Sequence, residues 1–121
     1  MHFHEMCPKY QSAMGLLGKR WMGLILRALI EGPRRFTDIR TYVEGLSDRL
    51  LSERLQELEE AGIVERTVFP GPPVTVEYAL TEKGRSLRPV LEALQRWADQ
   101  WIATEAVPSA PTRSPGVSRR R

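Results

Sequence analysis

The stretch FTDIRTYVEGLSDRLLSERLQELEEAGIVERTVFPGPPVTVEYALT, residues 36–81, decides the fold. Phe36, Ile39, Tyr42 and Val43 recur at helical spacing, and Gly45 closes that short helix. Ser47 is a good N-cap for the next helix, where Leu51, Leu55 and Leu58 fall at i, i+4 and i+7 before Gly62 ends it. A helix turns about 100° per residue, so Arg49, Ser52, Glu53 and Gln56 lie opposite the leucines, with Asp48 in the exposed first turn. Residues 63–69 and 75–80 have the β-branched, alternating character of strands, and Pro70-Gly71-Pro72-Pro73 supplies the turn between them. Helix, turn, helix and hairpin are the parts of a winged helix-turn-helix. That arrangement lays one helix in a DNA major groove and a loop against the flanking backbone.

Working outward, Tyr10, Ala13, Met14 and Leu17 predict a first helix over residues 9–17, which Gly18 ends or bends. A second follows over 20–30, with Trp21, Leu24, Ile25, Ala28 and Leu29 on one stripe and Gly32-Pro33 as its stop. A short strand near Arg35 would complete the sheet. Beyond the hairpin, Thr81 caps a long helix carrying Leu87, Val90, Leu91, Leu94, Trp97, Ala98, Trp101 and Ile102. Pro89 within that pattern predicts a kink or a restart. The expected fold is mainly α with a small β-hairpin, ordered α1-α2-α3-α4-β-β-α. Residues 1–8 form a lead-in and 9–104 the winged helix-turn-helix domain with flanking helices. Residues 105–121, rich in Pro, Ser and Arg, read as a disordered basic tail.

Composition narrows the function without deciding it. At 121 residues the chain suits one domain with tails and is long enough to bury a core. The formal charge of +3 looks like direct support for nucleic-acid binding. Yet the tail holds four of the 18 basic residues and no acid after Ala106, which leaves 14 basic against 15 acidic residues elsewhere. Distribution matters more than the total. Lys19, Arg20, Arg27, Arg34, Arg35, Arg40, Arg49 and Arg54 precede an acidic run at Glu57, Glu59 and Glu60, which fits one basic face on a nearly neutral body. The single cysteine, Cys7, excludes an intrachain disulfide, and an intermolecular one stays open. The start, MHFHEMCPKY, lacks the basic-then-apolar pattern of a secretory signal, and no apolar run reaches the roughly 20 residues a membrane span needs. The expected compartment is the cytoplasm, with no membrane partner.

The sequence resembles the HxlR family of bacterial winged-helix regulators, which are MarR-like. The markers occur in order: Cys-Pro at 7–8, Gly-Lys-x-Trp at 18–21, Gly-Pro-Arg-Arg-Phe at 32–36, Leu-x-x-Arg-Leu-x-x-Leu at 51–58, and Glu-Tyr-x-Leu-Thr-x-Lys-Gly at 77–84. Each is weak alone; together they are specific, over residues 7–101. The resemblance implies a transcription factor that is a homodimer on double-stranded DNA, with the first and last helices at the dimer contact. On this chain that means Tyr10, Met14, Leu94, Trp97 and Trp101. The two tryptophans, one turn apart, are hard for a small domain to cover by itself; burial in the chain's own core is the plain alternative. A cysteine in the position of Cys7 senses oxidants or electrophiles in some members, and here Lys9 and the first helix's N-terminus are positive neighbours for a thiolate. The competing role is inert packing.

For DNA contact, Arg49 stands first: two residues past the cap, an arginine can bond guanine O6 and N7 together. Ser47 and Ser52 suit phosphate or base, beside capping for Ser47; Asp48 and Glu53 share that surface. Arg54 flanks the leucines, so its stem packs while its head reaches a phosphate. Arg34 and Arg35, between helices, suit phosphate positioning. The wing departs from its relatives, having no lysine or arginine between Pro70 and Glu77; Thr75, backbone amides and Arg66 at the wing base are what remain. His2, His4 and Cys7 form HxHxxC, a zinc or copper set by type but not by spacing. No cofactor is expected. An enzyme is not expected either, since a nucleophile–base pair would depend on histidines within the first four residues. Two alternatives accompany the DNA-binding reading: a winged-helix interaction module without DNA binding, and a metal-responsive regulator using His2, His4 and Cys7. The effector, if one exists, is not legible.

Overall fold

The computed structural model describes residues 5–103. Helix α1 (Pro8–Leu17) begins with proline in its first turn, where the missing N–H costs nothing, and Gly18 caps its C-terminus. Helix α2 (Met22–Leu29) leads to a two-residue strand β1 (Arg34–Arg35) and then to α3 (Phe36–Tyr42). Helix α4 (Asp48–Glu60) precedes the hairpin of β2 (Val64–Phe69) and β3 (Thr75–Leu80). A single turn, α5 (Glu82–Arg85), and α6 (Arg88–Trp101) complete the described chain.

The sheet is antiparallel in the order β1-β3-β2, with Arg34 opposite Tyr78 and Val64 opposite Leu80. The expected strand at Arg35 is therefore present and makes the sheet three-stranded. The sole Pro-Pro bond in the turn, Pro72–Pro73, is cis. The chain divides into two compact units, Met1–Arg85 and Ser86–Arg121.

In the first unit the core is Met22, Ile25, Leu26, Ala28 and Leu29 of α2, Ile39 and Val43, and Leu51, Leu55 and Leu58 of α4, closed by Leu46, Ile63, Val64 and Leu80. All three α4 leucines are 1% exposed or less, as their spacing requires. Helix α4 is well ended at both termini. Ser47 Oγ accepts from the Leu50 N–H at 3.1 Å. At the other end Gly62 takes φ +75°, and Ile63 N–H returns to the Leu58 carbonyl at 2.9 Å in a Schellman arrangement that a side chain at Gly62 would strain.

Two expectations about α2 need correction. The helix starts at Met22 rather than Arg20, because Trp21 takes a left-handed φ of +75° and breaks the helical run. Leu24 is exposed rather than buried, and Met22 and Leu26 are buried instead. The inward stripe is Met22, Ile25, Leu26, Ala28 and Leu29, so Ile25, Ala28 and Leu29 face inward as expected, while Trp21 is half-buried.

Of the kink or restart expected at Pro89, the restart occurs. The segment after Thr81 is two helices, α5 and α6, with Pro89 in the first turn of α6. Thr81 Oγ1 accepts from Gly84 N–H at 3.2 Å, as its capping role requires, and donates to the Gly62 carbonyl at 2.6 Å. Taken by itself, α6 has no buried residue. Leu87, Leu91 and Ala98 are half-buried, whereas Val90, Leu94, Trp97 and Trp101 form an exposed apolar stripe at i, i+4, i+7 and i+11. Helix α1 likewise buries nothing, with Tyr10 and Met14 exposed.

Candidate nucleic-acid interface

The leucine face anchors α4, so its opposite side is presented with little freedom. Arg49, Ser52, Glu53 and Gln56 are all exposed on that side. The Arg49 side chain is 84% exposed, and its guanidinium donates to Glu53 Oε2 at 2.9 Å. Asp48, one position earlier, pairs with Arg40 of α3 at 3.0 Å and so ties the end of one helix to the start of the other. Arg40 was not legible as an anchor, because its partner lies eight residues away across a turn rather than at helical spacing.

The turn between α3 and α4 has a fixed shape. Gly45 lies at φ +88°, and a Cβ there would stand 3.4 Å from the indole of Trp21. Trp21, its own guanidinium neighbour Arg20 stacked 5.1 Å away, belongs to the loop that joins α1 to α2. This loop also grips α4 directly. Lys19 Nζ is 3.2 Å from Glu57 Oε2, and Arg54 Nε donates to the Arg20 carbonyl at 3.0 Å while its other nitrogen meets Glu57 at 3.1 Å. Desolvation pushes the Glu57 carboxyl up, but the hydrogen bond from Lys19 and the charges of Arg54 and Lys19 outweigh it, and the net shift is downward.

These contacts sort the arginines. Arg54 is only 15% exposed, and its guanidinium is committed to Glu57 and Arg20. Its stem packs as the sequence implied, but its head builds the fold. Arg34 is half-buried: its Nε donates to the Ala28 carbonyl, and its guanidinium lies 4.7 Å over the Tyr42 ring. Arg35, next along β1, keeps an exposed side chain, and its backbone N–H donates to Asp38 at 3.3 Å at the start of α3. Of the two, Arg35 is the one presented to solvent.

The wing is apolar at its tip. Val68, Phe69 and Val74 are exposed around the proline turn. Thr75 is half-buried opposite Phe69, and exposed Arg66 stands opposite Tyr78. Cys7 is an exposed free thiol immediately before α1, its carbonyl accepting from Gln11 N–H at 3.0 Å. His2 and His4 lie outside the described residues, as does the tail over 105–121. No helix among the described residues is long and apolar enough to cross a membrane.

An anchored helix with a polar outer stripe, a fixed turn before it and a hairpin after it is a complete helix-turn-helix with its wing. The HxlR-like helix-turn-helix model matches residues 16–106. The chain belongs to the HxlR family. It is 47% identical over 102 residues to the HTH-type transcriptional regulator YvaP of Bacillus subtilis, covering 84% of this chain and 94% of YvaP. It is 53% identical over 98 residues to the HTH-type transcriptional regulator YodB of the same organism, covering 81% of this chain and 88% of YodB. The reduced form of YodB superposes with a TM-score of 0.72 at 52% identity, covering 81% of this chain and 96% of that structure. YodB has also been solved after diamide treatment and with quinone bound. The oxidized form of the redox regulator HypR superposes with a TM-score of 0.75 at 34% identity, covering 81% of this chain and all of HypR. HxlR members are transcriptional regulators and not enzymes, and this chain is a transcriptional regulator of that family.

Proposed function

We propose that the chain is a cytoplasmic, homodimeric repressor that binds an inverted-repeat operator and responds to oxidants or electrophiles through Cys7. The observation that carries DNA reading is the outer stripe of α4, where an 84% exposed arginine stands above a fully buried leucine face. Arg49 reads guanine; Ser47 and Ser52 take phosphate or base; Arg35 positions the backbone. Arg66 and Thr75 contribute at the wing, to a smaller extent than a basic wing tip would. Arg34 and Arg54 act indirectly, by holding the surrounding elements. Twofold symmetry would set the half-sites about one helical turn apart, roughly 10 base pairs centre to centre.

The exposed stripe of Val90, Leu94, Trp97 and Trp101, with Tyr10 and Met14 on α1, supports the dimer. The redox reading rests on the exposed Cys7 and on likeness to YodB, solved with diamide and quinone, and to the redox regulator HypR. Within the first unit a route exists from α1 to the reading helix. The loop that ends α1 holds α4 through Lys19–Glu57 and Arg20–Arg54, so a shift of α1 bears on α4.

The test measures binding to duplex DNA by fluorescence anisotropy for wild type and Cys7→Ser, reduced and after diamide or a quinone. Binding lost only by treated wild type is the expected result, and a coupling of about 1–3 kcal/mol suffices for a 5–150-fold change. Equal responses of the two proteins would remove Cys7 from control.

A further inference from the structure

Helix α4 is an unusual surface to offer a polyanion. Over Asp48–Glu60 it carries two arginines and five acids, so its own formal charge is −3. Each arginine near its outer surface faces a carboxylate, but the three pairs differ in what they do. Arg54–Glu57 is bonded into the α1–α2 loop, and Arg40–Asp48 staples α3 to α4. Arg49–Glu53 joins two side chains of one helix, 84% and 47% exposed, and connects no two elements. An exposed pair of this kind adds little to folding. A carboxylate on the surface facing DNA also repels phosphate. Its placement there calls for a partner that accepts it.

The major groove offers only two base donors, cytosine N4–H₂ and adenine N6–H₂. Adenine places its N7 acceptor beside N6, which opposes a carboxylate, so cytosine is the base that Glu53 fits. The link to Glu53 engages one terminal nitrogen of Arg49. A guanidinium has five N–H donors, which leaves enough for guanine O6 and N7. Residues 49 and 53 are separated by about 6 Å of helix rise, while their tips converge to 2.9 Å. Joined tips match one base-pair step of about 3.4 Å.

Resting on the reading of α4 as the DNA-contacting helix, we propose that Glu53 is a specificity-determining residue: its carboxylate accepts from the N4–H₂ of a cytosine one step from the guanine bound by Arg49. The same charge holds Arg49 away from phosphates and weakens binding to other sequences. Specificity in this surface then comes from carboxylate as much as from arginine.

The test is selection from a randomised duplex pool by full-length wild type, Glu53→Gln and Glu53→Ala. Each protein is then titrated against the selected duplex, the same duplex with the cytosine pair replaced, and an unrelated duplex. Glu53→Gln should keep the guanine, lose the cytosine at one position per half-site and bind unrelated DNA more tightly. Discrimination between selected and unrelated DNA should fall about 10-fold or more. Thermal melting establishes that both variants fold. If both variants enrich the wild-type sequence with unchanged discrimination, Glu53 only solvates the helix and the proposal is overturned. Loss of the guanine instead of the cytosine would overturn the cytosine contact and leave Glu53 as a support for Arg49. If wild type itself enriches nothing, the reading of α4 fails, and Glu53 with it.

Discussion

Helices α4 and α6 are both amphipathic, yet the chain completes one and leaves the other open. The leucines of α4 are buried in the core of the first unit, so its outer side chains stand on a fixed base. Helix α6 buries no residue, and Val90, Leu94, Trp97 and Trp101 remain in solvent. An apolar stripe on a helix says only that the face needs a cover; it does not say whose. Where the cover belongs to the same chain, the helix becomes a rigid platform. Where it does not, the stripe is the kind of exposed patch that marks an interaction surface, which supports a second copy as its partner.

The contrast can be broken most easily at its largest effect. Leu55→Ala should cost about 2–5 kcal/mol of stability, read from denaturant unfolding, because it opens a cavity under α4. A loss below about 1 kcal/mol would mean that the α4 face is less tightly covered than its burial implies. The paired Trp97→Ala and Trp101→Ala variant should instead act on assembly. Losing interface anchors worth about 2 kcal/mol or more raises the dissociation constant about 30-fold. Size-exclusion chromatography with light scattering over a dilution series would detect it, and an unchanged dimer would take these rings out of the interface.

Smaller effects sharpen the α4 side. Arg49→Ala should lose about 1–3 kcal/mol of DNA affinity and relax preference at one base pair per half-site. Unaltered preference would mean that the outer stripe is read in another register. Glu57→Gln probes the clamp between α4 and the loop before α2. The folded Glu57 carboxyl titrates below its usual 4.5, so its contribution is present above that value and lost as pH falls through the folded one. The variant should melt slightly below wild type near neutral pH and converge with it in acid. The gap should be small, since the carboxylate is about a third exposed. A gap that widens in acid would contradict the pairing.

Much of this platform was legible before any coordinates. Ser47, Gly62, the proline turn at 70–73 and Pro89 are punctuation with local causes, and each acts where the sequence places it. Only part of the α2 stripe was legible: Ile25, Ala28 and Leu29 face inward as expected, but Met22–Leu29 is so largely apolar that spacing did not separate buried Met22 and Leu26 from exposed Leu24. Nor could sequence foresee that Trp21 would adopt a left-handed conformation, which is unfavourable for an aromatic residue. The arginines illustrate the same limit at the candidate site. Arg34 and Arg54 have the right type and neighbourhood for phosphate, yet each guanidinium is taken by a distant backbone carbonyl, at Ala28 and Arg20. Sequence spacing reveals a side chain's face; the carbonyls that compete for it are set by tertiary structure.

The most direct measurement is a hydroxyl-radical footprint of the wild-type protein on DNA upstream of its own gene, repeated with Arg49→Ala. Two symmetric protected half-sites about 10 base pairs apart, both weakened by the substitution, are expected from two copies each presenting α4. A footprint of one half-site, or one that Arg49→Ala leaves unchanged, would contradict a dimer that reads DNA through the outer stripe of α4.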